Sequence, residues 1–225
     1  MVEIVLILSV VLGAGLGYLL GDLSKIQRLL LTFSGAFLLT FTLLEIFPHI
    51  YHTDFKGMGL YVVAGVFIQI FLETVTRGAE HGHIHHKTRS IPIPIFAGLF
   101  VHAFLEGVPL RVDHDNHLLT AIFVHNIPVA LILYTFLTKI GLQTSWVMGL
   151  IGIFAMASPM GYWFGQFLPE SMAYPALGIT AGIFLHISTV ILFESADNHK
   201  LKMQKVFMII SGFLVAYLSL MGHNH

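Results

Sequence analysis

Long apolar runs separated by short polar stretches recur eight times along the chain, at about residues 2–21, 29–51, 58–77, 91–112, 118–139, 145–168, 172–195 and 205–221. At about 1.5 Å rise per helical residue, runs of about 17–25 residues are long enough to cross a bilayer's hydrocarbon core of roughly 30 Å, and each of these runs falls in that range. The pattern predicts an all-α, polytopic membrane protein of eight transmembrane helices. Residues 1–225 are expected to form a single transmembrane domain, without a soluble domain or long linker. The first run carries one acidic residue, no basic leader and no small-residue cleavage site, so it is expected to be retained as a helix.

Composition supports this reading and narrows the chemistry. The chain has a mean hydropathy of +0.83, is 56% hydrophobic and only 10% charged, and has a net charge of −1, which offers no basic surface for nucleic acid. It contains no cysteine. Disulfides and thiolate ligands are therefore excluded, and any metal must be held by nitrogen and oxygen donors. With the N-terminus outside, Lys25, Arg28, Arg77, Lys87, Arg89, Lys139, Lys200, Lys202 and Lys205 fall inside and only Lys56 and Arg111 outside. This asymmetry predicts a multi-pass cell-membrane protein with both termini extracytoplasmic.

The first and last three helices share a pattern. Gly17-Tyr18-Leu19-Leu20-Gly21 parallels Gly161-Tyr162-Trp163-Phe164-Gly165, Gly35-Ala36-Phe37-Leu38 parallels Gly182-Ile183-Phe184-Leu185, and Gly65 parallels Gly212. The order and nearly constant offset predict inverted three-helix repeats, 1–3 and 6–8, around helices 4 and 5, the architecture of many secondary transporters. Close helix packing through glycine would produce similar spacings.

Ionisable groups within the spans are functional candidates, because burying them in hydrocarbon costs several kcal/mol, of the order of 3, unless they are paired or wetted. Helix 4 carries His102 and Glu106, helix 5 His125, helix 2 Glu45 and His49, and helix 7 His186 and Glu194. Glu73 lies one turn from Arg77 at a helix end, where an ion pair is expected. His102 and Glu106 at i, i+4 project from one helical face. Counted from the ends of their helices, Glu106 and His125 both sit roughly 10 Å deep, so the three donors can meet. Pro109 and Pro128 lack N–H groups, which frees the carbonyls of Leu105 and Val124 beside the site. Neighbours, water or ions must satisfy them, and a hydrated metal pocket between helices 4 and 5 is the expectation. The alternative is a set of ordinary interhelical hydrogen bonds.

The helix 4 stretch His102-Ala103-Phe104-Leu105-Glu106-Gly107 resembles the HNxxDG or HSFxEG motif of the ZIP (ZRT/IRT-like) divalent metal transporters. Helix 5, His125-Asn126-Ile127-Pro128-Val129-Ala130, resembles that family's HEIPHE motif. Eight spans, both termini outside, a histidine-rich loop between helices 3 and 4, a proline near the end of helix 2 and Ala157-Ser158-Pro159-Met160-Gly161 in helix 6 extend the likeness. In the family's binuclear members the first site uses the positions of His102, Glu106, His125 and Val129. The second uses those of Ala103, Glu106, Asn126, Val129 and Ser158. Val129 and Ala103 cannot ligate, and Asn126 and Ser158 are neutral, so the resemblance implies one His/Glu/His site. Its open position is left to water, Asn126, Ser158 or a moving side chain.

The resemblance further implies uptake of a divalent ion (Zn2+, with Fe2+, Mn2+ and Cd2+ as alternatives) by an elevator-like mechanism. Helices 1, 4, 5 and 6 would slide against 2, 3, 7 and 8, with the small residues of helices 1 and 6 suiting the sliding surface, although tight static packing needs them equally. The remaining polar groups order into a route. Asp113, His114, Asp115 and His117, with Glu45 and His49, would gather cations. His186 and Glu194 would line the exit, and the loop histidines His81, His83, His85 and His86 would capture ions in the cytosol, unless that loop is merely a solvated linker. The expected partners are metal ions and the lipid bilayer; a homodimer stays open. No catalytic residue or catalytic cofactor is expected. The competing readings are a membrane-embedded zinc hydrolase, for which Glu45 is the one candidate base, and a haem-binding subunit with histidine axial ligands.

Overall fold

The computed structural model describes residues 1–21, 24–52, 57–76, 93–113, 115–194 and 202–222, without the side chains of Ser24, Glu194 and Lys202. Eight helices there are long and apolar enough to cross a membrane. They are α1 (Val2–Leu20); α2 (Ser24–Phe41, continued by a π turn, Thr42–Ile46, and a last α turn, Phe47–Tyr51); and α3 (Met58–Thr76). Next come α4 (Ile93–Gly107, continued as a 3-10 turn, Val108–Val112), α5 (His117–Lys139) and α6 (Thr144–Ala155 and Ala157–Phe167). The last two are α7 (Ala173–Glu194) and α8 (Lys202–Met221). Among the described residues every regular element is helical, so the fold is all-α and the chain is a multi-pass membrane protein.

Where helices depart from the hydropathy pattern, local chemistry explains it. α2 starts at Ser24, ahead of its apolar run, and its polar first turn is anchored where Gln27 Nε2 donates to Thr135 Oγ1 of α5 at 2.9 Å. α6 breaks at Met156, whose N–H reaches back only three residues to Ile153; Pro159 cannot donate the bond that would continue the helix past Ala155. Pro109 tightens the end of α4 into its 3-10 turn. The Leu105 carbonyl beside Glu106 is met by the hydroxyl of Thr180 on α7, which donates at 3.3 Å. A neighbouring helix thus supplies one partner for the freed carbonyl. α5 runs unbroken through Pro128.

The most extensive pairings are α1 with α5, α3 with α7, α2 with α8 and α4 with α6. Glycine makes them close. A Cβ at Gly65 of α3 would run into the carbonyl of Ile179 on α7, one at Gly212 of α8 into that of Phe33 on α2, and one at Gly161 of α6 into that of Phe104 on α4. Gly13 and Gly17 of α1 likewise press against Ile127 and Tyr134 of α5. Gly21, matched with Gly165 in the sequence pattern, differs in role: it ends α1 at φ 63° with nothing packed against it, whereas Gly165 packs on Val108.

Buried apolar side chains gather into two cores. One is built from α1, α4, α5 and α6 around Val10, Leu99, Leu133, Leu137 and Phe154. The other centres on α2, α3, α7 and α8, through Phe37, Leu38, Val62, Phe184 and Ala216, and also takes in Leu6 of α1, Leu110, Leu118, Leu119 and Ile122 where α4 ends and α5 begins, and Ile132 further along α5. Gly13 and Gly17 of α1 and Gly161 and Gly165 of α6 therefore pack inside the first helix group, against α5 and α4, which favours the static-packing reading of these four over a surface between the two helix groups. The large apolar side chains Leu60, Phe67, Phe71, Phe207, Leu214 and Leu218 on α3 and α8 point outward and are exposed, an arrangement suited to lipid and not to water.

Candidate metal centre

Helix α4 presents His102 and Glu106 one turn apart, and α5 brings His125 to meet them. His102 Nε2 lies 3.0 Å and His125 Nε2 3.8 Å from the same carboxylate oxygen, Glu106 Oε1. The two imidazole rings stand almost perpendicular, at 83°, with centroids 5.9 Å apart. One ligand atom from each residue lies within 4.8 Å of the others. Donors on a tetrahedral zinc at about 2.0–2.2 Å are separated by roughly 3.3 Å, a spacing bracketed by these two contacts. All three residues are at most 1% exposed.

Burial makes the arrangement informative. No backbone N–H or hydroxyl among the described residues donates to either Glu106 oxygen; two imidazoles face the carboxylate instead. A desolvated carboxylate is costly unless positive charge compensates it, and a cation shared among these donors would do so. Close packing brings the donors together: Gly107, next to Glu106, lets the Ser158 carbonyl of α6 approach the α4 backbone. Asn126 and Ser158 are themselves buried, and Asn126 Nδ2 has no hydrogen-bond partner among the described residues. Ala103 and Val129 contribute only apolar packing, to the α1, α4, α5 and α6 core.

One contact leaves no sign in the sequence. Ser34 Oγ of α2 lies 3.1 Å from His125 Nδ1, the ring nitrogen turned away from Glu106. Nothing in the local sequence distinguishes Ser34 from other small helix residues; its partner is 91 positions away.

The other candidates form two separate groups. Where α2 ends and α5 begins, Glu45, on the π turn, pairs with His117 Nδ1 at 2.9 Å. Both line a pocket with His49, Asp113 and Asp115. His49 is exposed and stacks on Tyr174. Asp113 has a structural task, accepting the N–H groups of Leu118 and Leu119 at 3.0 and 2.8 Å and so capping α5. Burial pushes its carboxyl above the usual range, against the opposing pull of those N–H groups. In the second group, His186 Nε2 of α7 pairs with Glu73 Oε2 of α3 at 2.7 Å. Glu73 thus meets a histidine of another helix, and its expected partner Arg77 lies outside the described residues. So do His81, His83, His85, His86 and His114. Glu194 is the last residue of α7, and its side chain is not among those described.

No curated protein matches the chain in sequence. A family model for the ZIP zinc transporters does match, over residues 79–220, which include α4 to α7, nearly all of α8 and all three residues of the buried His/Glu/His group. The chain belongs to the ZIP zinc transporter family.

Proposed function

We propose that the chain carries divalent transition-metal ions, Zn2+ foremost, into the cytoplasm, and that His102, Glu106 and His125 hold the ion in transit. The observation carrying this reading is the solvent-shielded meeting of those three donors at ligand spacing. Three donors leave a coordination position for water, Asn126 or Ser158. An ion held by three protein donors can also be released, which transport requires as much as capture. Mixed nitrogen and oxygen donors favour Zn2+ over Ca2+ or Mg2+, while Fe2+, Mn2+ and Cd2+ remain competitors.

The movement we propose is an elevator-like slide of α1, α4, α5 and α6 against α2, α3, α7 and α8, within one transmembrane unit whose termini both face outward. One apolar core lies wholly within α1, α4, α5 and α6, which supports their moving as a unit; the other, centred on α2, α3, α7 and α8, also reaches Leu6 of α1, Leu110 of α4 and α5 as far as Ile132, contacts that such a slide would have to exchange. The helix pairings also support inverted repeats. Exchanging α1, α2, α3 for α6, α7, α8 and α4 for α5 maps the four main pairings onto themselves. In this reading the Glu45–His117 pocket is the outer mouth, and Leu110, Leu118, Leu119 and Ile122 close it above the ion. The Glu73–His186 pair lies on the exit side.

The hydrolase reading is weaker because Glu45, its one candidate base, is engaged by His117 and is no member of the His/Glu/His group. The haem reading is weaker for this group, since its three donor atoms lie within 4.8 Å of one another, too close to stand on opposite faces of a macrocycle. The test is Zn2+ flux into proteoliposomes by the wild type, His102→Ala and Glu106→Ala. Saturable flux lost in both variants is expected; equal flux in all three would remove this site from the mechanism.

A further inference from the structure

The residue that aims His125 comes from the helix group that supplies no metal donor. Ser34 is 1% exposed on α2, whose position is fixed by the packing of neighbouring Gly35 against Ile191 of α7. Its hydroxyl meets His125 Nδ1 at 3.1 Å, while His125 Nε2 faces Glu106. An imidazole that ligates through Nε2 must carry its proton on Nδ1, and a partner accepting that proton fixes both tautomer and ring orientation. From this geometry we infer that Ser34 is a positioning residue for the transported ion. It accepts the Nδ1 proton of His125 and so turns the Nε2 lone pair toward the ion.

This inference rests on the proposed metal site and adds a state dependence to it. Ser34 belongs to the α2, α3, α7, α8 group and His125 to the α1, α4, α5, α6 group. A slide of one group past the other separates them. His125 is then a well-oriented ligand while it faces Ser34 and a looser one after the slide, so the ion is held tightly in one position and released more readily in the other.

The test uses the full-length protein purified in detergent, with Co2+ as a spectroscopic probe and Zn2+ affinity measured by competition. Ser34→Ala is expected to weaken Zn2+ binding about 10- to 100-fold, to alter the Co2+ ligand-field bands and to raise the KM for flux. Ser34→Thr, which keeps the hydroxyl, is expected to retain affinity within a few-fold. Thr32→Ala is the matched control, because Thr32 is also buried on α2 but bonds its own helix, at Arg28. It should leave affinity unchanged and set the thermal stability against which metal-free Ser34→Ala is compared. Wild-type affinity in Ser34→Ala, with binding lost in His102→Ala, would overturn the inference and leave the metal site standing. Equal losses in Ser34→Ala and Thr32→Ala would reduce Ser34 to helix packing and also overturn it. Wild-type protein binding no better than His102→Ala would remove both readings.

Discussion

His102 and Glu106 meet at 3.0 Å on one face of α4, both shut off from water. A neutral pair would tolerate replacement of the carboxylate by an amide, whereas a cation site needs the charge. Glu106→Gln is therefore expected to fold but to lose at least about 100-fold in Zn2+ affinity and flux, beyond the loss from disturbing a supporting group. His125→Ala should fall in the same range. Because a ligating histidine must give up a proton, wild-type uptake should decline as pH is lowered from about 8 to about 5. A flat profile in a proteoliposome assay would argue against these histidines as ligands.

Asp113 gives a pH prediction outside the spans. Its folded pKa is raised, chiefly by burial, so the folded state favours the protonated acid. The resulting contribution to stability is complete below the unfolded value of 3.8 and is lost as pH rises through the higher folded value. Asp113→Asn keeps an acceptor for the N–H groups of α5 without the charge. The stability of wild type relative to Asp113→Asn should thus fall between acid and neutral pH. Asp113→Ala, which loses both capping bonds, should cost about 1 kcal/mol. Thermal unfolding in detergent, once in acid and once at neutral pH, measures each difference.

The central group is readable in the sequence because helical geometry is local. A four-residue spacing puts His102 and Glu106 on one face, and equal depth brings His125 beside them. Contacts between helices distant in the chain leave no such trace. Ser34 is the plainest instance; spacing directs Glu73 toward Arg77, which lies outside the described residues, and gives no sign of the bond Glu73 makes to His186 on another helix. Likewise, Pro109 implies a freed carbonyl at Leu105, but its acceptance of a Thr180 bond depends on how α7 packs. Glycine spacing announces close helix approach without saying which helix approaches, so sequence alone leaves open whether the glycines of α1 and α6 face a sliding surface or a static contact.

Those glycines make a packing prediction. A Cβ at Gly161 meets the carbonyl of Phe104, a backbone group that cannot swing aside. Gly161→Ala should therefore destabilise by about 1–3 kcal/mol, and by pushing on α4 it should also weaken metal binding at His102 and Glu106. At Gly149, on the first half of α6, an added methyl group would find no atom within 4 Å. There the same substitution should be neutral or stabilising by up to about 1 kcal/mol, through the backbone freedom removed from the unfolded chain. Thermal unfolding of the two variants side by side compares them, and equal effects would mean that the α4–α6 contact is looser than the structure has it.

Relative motion of the two helix groups can be tested by tying them together. The native chain has no cysteine, so an introduced pair reacts without background. Gln27 of α2 and Thr135 of α5 are hydrogen-bonded at 2.9 Å across the boundary between the groups. Glu3 of α1 and Trp163 of α6 are bonded at 3.2 Å within one group. A short bifunctional thiol reagent joining Gln27→Cys to Thr135→Cys should abolish Zn2+ flux while leaving Zn2+ binding to the protein in detergent intact, because the donors stay in place and only the slide is prevented. The same reagent joining Glu3→Cys to Trp163→Cys should leave flux within about two-fold of the uncrosslinked variant, since those helices would travel together. Flux surviving in fully crosslinked Gln27→Cys/Thr135→Cys protein would show that the ion crosses without α5 leaving α2, and a fixed-site mechanism would then replace the elevator.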